Sequence, residues 1–318
     1  MKNNEYEIYI GDCIKKMYEL KKIGFKADLS VFSPPFSSLY AYTNNFHDMG
    51  NSKESDDEFN LHFRFFANAI FPLIKDGRNV CVHVQNPSRS LENHGKRGIW
   101  DMRGEMIRIF ENAGFWYYGE VSIFKNPQAQ SIRTKAQALQ FSQFIKDSSI
   151  SRPALLDYLM IFKKPGKSEV PCTNEIQINE HGAKERSDVT NDDWIEWANG
   201  IWSSVDDCFK LPYPVWFNIR ETQTLNTRAA KDDKDERHVC PLQLDLIERC
   251  VKLWSNPGEI VFSPFMGIGS EGYISLLNKR KFVGVELKES YFNESERNLK
   301  NAIKLRKTMN DQLSMMDL

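Results

Sequence analysis

Apolar and polar positions recur along this chain with two periods, and together they predict an α/β protein. Tyr6-Glu7-Ile8-Tyr9-Ile10 alternates like a first strand, stopped by Gly11-Asp12. Ile14, Met17, Leu20 and Ile23 then return at helical spacing, predicting a helix over 13–23. The apolar run Leu29–Phe32 predicts a buried strand, and it halts at Ser33-Pro34-Pro35-Phe36. Two successive prolines remove two backbone donors and restrict φ, so pairing cannot continue beyond Phe32. Residues 37–57 carry no apolar periodicity and are rich in Asn, Ser and Asp, the pattern of a long functional or mobile loop.

Phe59–Ile74 predicts a helix with Gly77 placed as its stop, and Asn79–Gln85 predicts a strand. His83 alternates with valines in that strand and is read as a hydrogen-bonded core or rim histidine rather than a catalytic one. A helix over 99–112 closed by Gly114 and strands at Trp116–Phe124 and Tyr158–Phe162 follow. From Pro241 to Trp254 the stripe Leu242, Leu246, Ile247, Cys250, Val251 and Trp254 predicts a helix. A strand at Glu259–Phe262, a helix at Gly272–Lys279, a strand at Phe282–Leu287 and a charged helix over 290–308 complete the chain, without internal repeats. The expected organisation is one catalytic domain made from 1–167 and 226–308, interrupted by an insertion at 168–225 and followed by a tail at 309–318.

Charge changes this picture in the middle of the chain. The 318 residues are 41% apolar and 27% charged with a formal net charge of -1, so any site for a polyanion must come from local segregation. Between Glu120 and Lys167 the bases Lys125, Arg133, Lys135, Lys146, Arg152, Lys163, Lys164 and Lys167 face only Glu120, Asp147 and Asp157. From Ser168 to Phe209 the balance reverses: Lys184 and Arg186 stand against ten acids, in an irregular stretch that also carries Trp194, Trp197 and Trp202. No run approaches a membrane span, and the amino terminus is polar, which points to a soluble, cytoplasmic protein. The six cysteines form no C-x-x-C pair, so reduced thiols are expected and neither zinc nor a disulfide framework.

Two stretches carry candidate chemistry. Ser33-Pro34-Pro35-Phe36 is either a stiff turn or a site, since open α/β sheets place ligands at the carboxyl ends of strands. The other stretch is Ser263-Pro264-Phe265-Met266-Gly267-Ile268-Gly269-Ser270, between one strand and a helix, with Glu286 ending the next strand. Gly267 and Gly269 let backbone approach a ligand, and an acid at Glu286 can accept from both hydroxyls of a ribose. The third glycine of a dinucleotide turn is poorly matched by Gly272, and Glu271 would oppose a phosphate. A nucleoside cofactor without phosphates, such as S-adenosylmethionine, fits better.

With Gly11-Asp12, S-P-P-F and S-P-F-M-G-I-G-S in this order, the chain resembles the permuted, β-type exocyclic-amino DNA methyltransferases (N4-cytosine and N6-adenine), of the restriction-modification or phage kind. The approach from His238 to Phe262 is similar as well. The resemblance implies a permuted Rossmann-like fold with a mixed, mostly parallel sheet and an irregular recognition insertion. It implies S-adenosylmethionine as cofactor, held by Asp12, Cys13, Phe32, His238, Ser263, Phe265, Gly267, Gly269, Ser270 and Glu286. It implies a catalytic set of Ser33, Pro34, Pro35 and Phe36. Ser33 and the Pro34 carbonyl would accept from the target amino group, while Phe36 stacks on a flipped base. Duplex DNA is the implied partner, with phosphates taken by Lys125, Arg133, Lys135, Lys146 and Arg152; a homodimer is allowed and no metal is needed. This chain departs from the family in carrying Ser263 where Asp is frequent and Ser270-Glu271 where Thr-Thr is frequent. Ser rather than Asp at position 33 favours cytosine N4 narrowly over adenine N6. Two alternatives are a nucleotide-binding, oxidoreductase-like protein with a structural S-P-P-F turn, and a methyltransferase acting on RNA or protein.

Overall fold

A computed structural model describes residues 5–35, 49, 56–89, 91, 95–123, 141–153, 155–198, 215–216, 219–220, 222–226 and 241–316. The strands in chain order are β1 (Tyr6–Ile10), β2 (Ala27–Phe32), β3 (Ile74–Gln85), β4 (Ser88–Arg89), β5 (Gly98–Ile99), β6 (Trp116–Ile123), β7 (Asp157–Lys163), β8 (Ile176–Ile178), β9 (Lys184–Arg186), β10 (Val215–Trp216), β11 (Ile260–Ser263) and β12 (Lys281–Glu286). The helices are α1 (Cys13–Lys22), α2 (Asp56–Ile70), α3 (Met102–Asn112), α4 (Phe141–Asp147), α5 (Asn191–Ala198), α6 (Leu244–Trp254), α7 (Ser270–Leu277) and α8 (Glu289–Met316).

Among the described residues one sheet of eight strands runs β1-β12-β11-β2-β3-β7-β6-β10. Its first five strands are mutually parallel, β7 is antiparallel to both β3 and β6, and β10 is parallel to β6. This is the mixed, mostly parallel sheet that the family resemblance implied. All six residues of β2 are buried, because helices cover both faces of a parallel sheet. Strand alternation sorts the core in two: Phe32, Val80 and Val82 pack with Met17, Phe63, Phe66 and Phe110 of α1, α2 and α3. Leu29, Val31 and Cys81 face Ile247, Val251, Leu276 and Leu299 of α6, α7 and α8.

Several boundaries differ from expectation for local reasons. Helix α2 ends at Ile70, not Ile74, because Pro72 starts a single 3-10 turn at Phe71–Leu73 and β3 begins directly after it. Helix α3 starts at Met102, where the Asp101 carboxylate accepts from Gly104 N at 3.0 Å, and Gly98–Ile99 instead pairs with Ser88–Arg89. Helix α8 runs on to Met316, past the expected end at 308. Among the described cysteines, Cys13, Cys81 and Cys250 are buried free thiols and Cys172 is half-buried. Among the described residues, no helix is long and apolar enough to cross a membrane.

The described part of the acidic stretch is ordered as the β8–β9 hairpin followed by α5. It packs at the amino ends of the parallel strands. Arg78, on the first half of β3, donates to the Glu259 carboxylate, to the Cys172 sulfur and to Val170 O at 3.1 Å. Arg249 of α6 donates to Glu196 at 2.6 Å and lies over the Trp197 ring, and Arg280, just before β12, is 3.4 Å from Asp188. All three guanidinium groups belong to buried residues, and a buried charge requires a partner. Acids of this stretch supply partners to two of them, Glu196 to Arg249 and Asp188 to Arg280.

Candidate active site

The carboxyl ends of β1, β2, β11 and β12 meet at one cleft. At the end of β1, Gly11 adopts φ +128° and its N–H donates to Glu286 O at 2.8 Å. Asp12 then caps α1, accepting from Lys15 N at 3.0 Å. At the end of β11 the chain turns through Pro264–Gly269, and β12 holds that turn. Met266 N donates to Val285 O at 2.9 Å, and Gly267 N donates to Glu286 Oε2 at 2.8 Å. The other carboxylate oxygen, Oε1, accepts from Lys288 N at 2.9 Å. Gly269 has φ +87° and caps α7, and a Cβ there would lie 3.0 Å from Ser295 Cβ. Phe265 roots the turn in the core, with its ring centroid 4.9 Å from Phe66 and 5.6 Å from Phe32.

The cleft holds about 1000 Å³ of space open to solvent. Of the predicted site residues, Asp12, Cys13, Ser33, Pro35, Phe265, Gly267, Ser270 and Glu286 line it. Pro34, Phe32 and Ser263 are buried behind it, and Gly269 shapes the turn without lining the cleft. Phe36 and His238 lie outside the described residues, as do Lys125, Arg133 and Lys135. Lys146 is exposed on α4, and Arg152 donates to Ser88 Oγ, just beyond the carboxyl end of β3. Met49, Leu242, Met266, Ile268, Glu271 and Tyr291 also line the cleft and were not anticipated as site residues. Met266 and Ile268 belong to the glycine-rich stretch singled out in the sequence, and Glu271 follows it directly.

The lining includes the carboxyl groups of Asp12, Glu271 and Glu286 and, among the described residues, no Lys, Arg or His. Burial, reinforced by the charge of Glu286, pushes the Glu271 carboxyl up to about 8. Burial, with Asp12 adding to it, also raises the Cys13 thiol, which therefore is no thiolate nucleophile at neutral pH. The hydroxyls of Ser263 and Ser270 are buried and have no hydrogen-bond partner among the described residues. Such groups carry a desolvation cost that a polar ligand atom can offset.

Ser33 is tied to the neighbouring strand through His83. Its Oγ lies 3.2 Å from His83 Nδ1 and 3.1 Å from His83 O, and His83 Nε2 lies 3.0 Å from Asp157 Oδ2. Three adjacent strands, β2, β3 and β7, thus present Ser33, His83 and Asp157 in a line, with His83 and Asp157 both buried. His83 is hydrogen-bonded in the rim, as its pattern predicted, and its partner is the serine of the S-P-P-F turn. Among the described residues no group of His, Cys, Asp and Glu is arranged to hold a metal.

A family model described as DNA methylase matches residues 27–297 of the chain. The orphan methyltransferase M.BamHII of Bacillus amyloliquefaciens is 35% identical over 97 residues, which are 30% of this chain and 37% of that protein. The chain thus spans well under half the length of this relative. The Type II methyltransferase M.MjaI of Methanocaldococcus jannaschii is 20% identical over 306 residues, covering 90% of this chain and 88% of the relative. Among solved structures, TTHA0409 of Thermus thermophilus, a candidate DNA modification methylase in complex with S-adenosyl-L-methionine, superposes with a TM-score of 0.58 at 15% identity. That likeness covers 93% of this chain and 95% of the other, and it shows the fold.

Proposed function

The chain belongs to the DNA methylase family, whose model spans residues 27–297, and from that premise we propose that it methylates the exocyclic amino group of a base flipped out of duplex DNA, with S-adenosylmethionine as donor and cytosine N4 as the preferred target. The observation that carries this reading is that Ser33 opens into the same cleft as Asp12, the Gly267 turn and Glu286. The carboxyl groups of Asp12 and Glu286, with no cationic side chain among the described lining residues, suit a positively charged ligand without phosphates. The same lining disfavours a dinucleotide, whose pyrophosphate would meet no cationic partner among those residues.

On this reading Glu286 holds the ribose hydroxyls and keeps the Gly267 turn in place, and Asp12 with the Cys13 backbone holds the adenine. Phe265, Gly267 and Gly269 wrap the remainder, and the buried hydroxyl of Ser270, which lines the cleft, finds a partner in the ligand. When bound, S-adenosylmethionine supplies a methyl group already activated on a sulfonium. The chain's own residues have a different task. An aromatic amino nitrogen is a poor nucleophile because its lone pair is shared with the ring. Ser33 Oγ and the Pro34 carbonyl accept its two hydrogens, which favours a pyramidal nitrogen and stabilises the positive charge that develops there. The stiff Pro34-Pro35 turn holds these acceptors in place before the base arrives. Phe36 stacks on the extruded base.

Ser33 favours cytosine N4; adenine N6 is the second reading, since the hydroxyl need only accept a hydrogen bond. Lys146 and Arg152, with Lys125, Arg133 and Lys135, take the DNA phosphates. The acidic part of the insertion, docked at the amino ends of the strands, serves as a brace and not as the base reader. Sequencing that resolves methylated bases, on DNA from cells expressing the protein, tests the reaction and its base together. Calorimetry with S-adenosylhomocysteine and with NAD tests the cofactor: binding of NAD alone would overturn the proposal.

A further inference from the structure

We propose that His83 and Asp157 form a proton-acceptor relay behind Ser33, so that Ser33 both orients the target amino group and carries its proton away. The inference rests on the amino-methyltransferase reading above and extends it to two residues outside the S-P-P-F turn. Transfer of a methyl group from a sulfonium to a neutral amino nitrogen forms a C–N bond, breaks the C–S bond and leaves that electron pair on sulfur. The nitrogen then carries two hydrogens and a positive charge, and one of those protons must depart to leave the neutral methylamino product. The Pro34 carbonyl cannot take it, since a protonated amide is far too acidic, and a serine hydroxyl can take it only by giving up its own proton.

The geometry supplies the acceptor. Ser33 Oγ is 3.2 Å from His83 Nδ1, and His83 Nε2 is 3.0 Å from Asp157 Oδ2. An ionised carboxylate only accepts, so Nε2 carries hydrogen and donates it to Asp157, which leaves the lone pair of Nδ1 turned toward Ser33. A proton arriving at Ser33 Oγ from the target nitrogen displaces the hydroxyl proton onto Nδ1, and the resulting imidazolium is paired with Asp157. His83 O, 3.1 Å from the same Oγ, steers the hydroxyl while the relay is idle. Both residues are buried, so no bulk water competes for the imidazole. The strand register makes the line rigid. Val82 pairs with Phe32, next to Ser33, and Gln85 pairs with Asp157.

The test uses the full-length protein with Asp157→Asn and His83→Gln. The Asp157→Asn side chain keeps the shape of the aspartate but can donate to Nε2, which moves the imidazole hydrogen to Nδ1 and closes the relay; a buried Asp behind a catalytic histidine acts through the tautomer in the same way in serine proteases. Nitrogen NMR of His83 is expected to show the Nε2–H form in the wild type and the Nδ1–H form in Asp157→Asn. Single-turnover methylation is expected to fall at least 30-fold in both variants. Affinity for S-adenosylhomocysteine and the fluorescence of 2-aminopurine placed next to the target base should stay within twofold. Wild-type rates in either variant, or an Nδ1–H tautomer in the wild type, would overturn the relay. If the wild type methylates no DNA, the proposed function fails instead, and the NMR result then decides the relay's geometry by itself. If His83→Gln does not fold, Asp157→Asn carries the test.

Discussion

Replacing Glu271 by glutamine should remove a large pH-dependent penalty on the folded state. The Glu271 carboxyl is buried at the start of α7, beside the cleft, and keeps its proton up to about pH 8, against 4.5 for an ordinary glutamate. Between those values the folded chain binds a proton that the unfolded chain has released. Stability therefore falls as pH rises through this window, with a limiting slope of about 1.4 kcal/mol per pH unit for this one group. Integrated from 4.5 to about 8, the penalty is roughly 5 kcal/mol, an upper figure because water entering the open cleft would relieve part of it. Glutamine is uncharged at every pH and close in shape to the protonated acid. Urea denaturation of both ligand-free proteins at pH 5, 6, 7 and 8 isolates the effect, since every other titrating group is common to the two. The variants should have similar stability at pH 5, and Glu271→Gln should be more stable by at least about 2 kcal/mol at pH 8. Parallel stability curves across this range would refute the reasoning, because they would mean that Glu271 ionises as freely in the fold as outside it.

Other substitutions separate the roles assigned within the cleft. Ser33→Ala should reduce methyl transfer at least 100-fold while leaving calorimetric affinity for S-adenosylhomocysteine within twofold; a large loss of affinity would contradict its role. Glu286→Ala removes the acceptor of Gly267 N and Lys288 N as well as the proposed ribose contact, and hydrogen bonds to a charged group are worth about 1.5–3 kcal/mol each. Its affinity for the same ligand should fall on the order of 100-fold. Gly284→Ala places a Cβ 2.5 Å from Met266 Sδ, so it should lower Tm by several degrees and weaken cofactor binding by displacing the turn. Equal binding at a lowered Tm would show that the turn tolerates the displacement. Lys146→Ala should reduce the slope of log affinity against log salt for duplex DNA by about 0.9, the signature of one lost phosphate contact.

The parts of this site that sequence reasoning found are those with strong local chemistry. Pro34 and Pro35 can end only one kind of strand, and a turn with left-handed Gly267 and Gly269 announces itself through residues that tolerate positive φ. Glu286 was legible because it ends the short apolar strand that follows that turn and its helix. His83 and Asp157 were not legible as a pair, because they lie 74 positions apart and meet only through the antiparallel register of β3 with β7. Nothing near either residue in the chain signals the other. The end of α2 was missed for a smaller reason, the helical spacing of Phe71 and Ile74 having concealed the break that Pro72 imposes. The acidic stretch was harder still. Its charge alone did not reveal that Glu196 and Asp188 face arginines that the rest of the fold buries.

The docking of that stretch gives the molecule a polarity that its net charge of -1 conceals. The exposed carboxylates of Glu169, Glu175, Glu180 and Asp192 belong to the stretch anchored at the amino ends of the strands, and Arg152 stands by the carboxyl ends, where the cleft opens. If duplex DNA is the partner, as proposed above, this separation of charge would turn the acidic end away from the polyanion, an effect on the encounter rate that should fade as salt shortens the reach of the field.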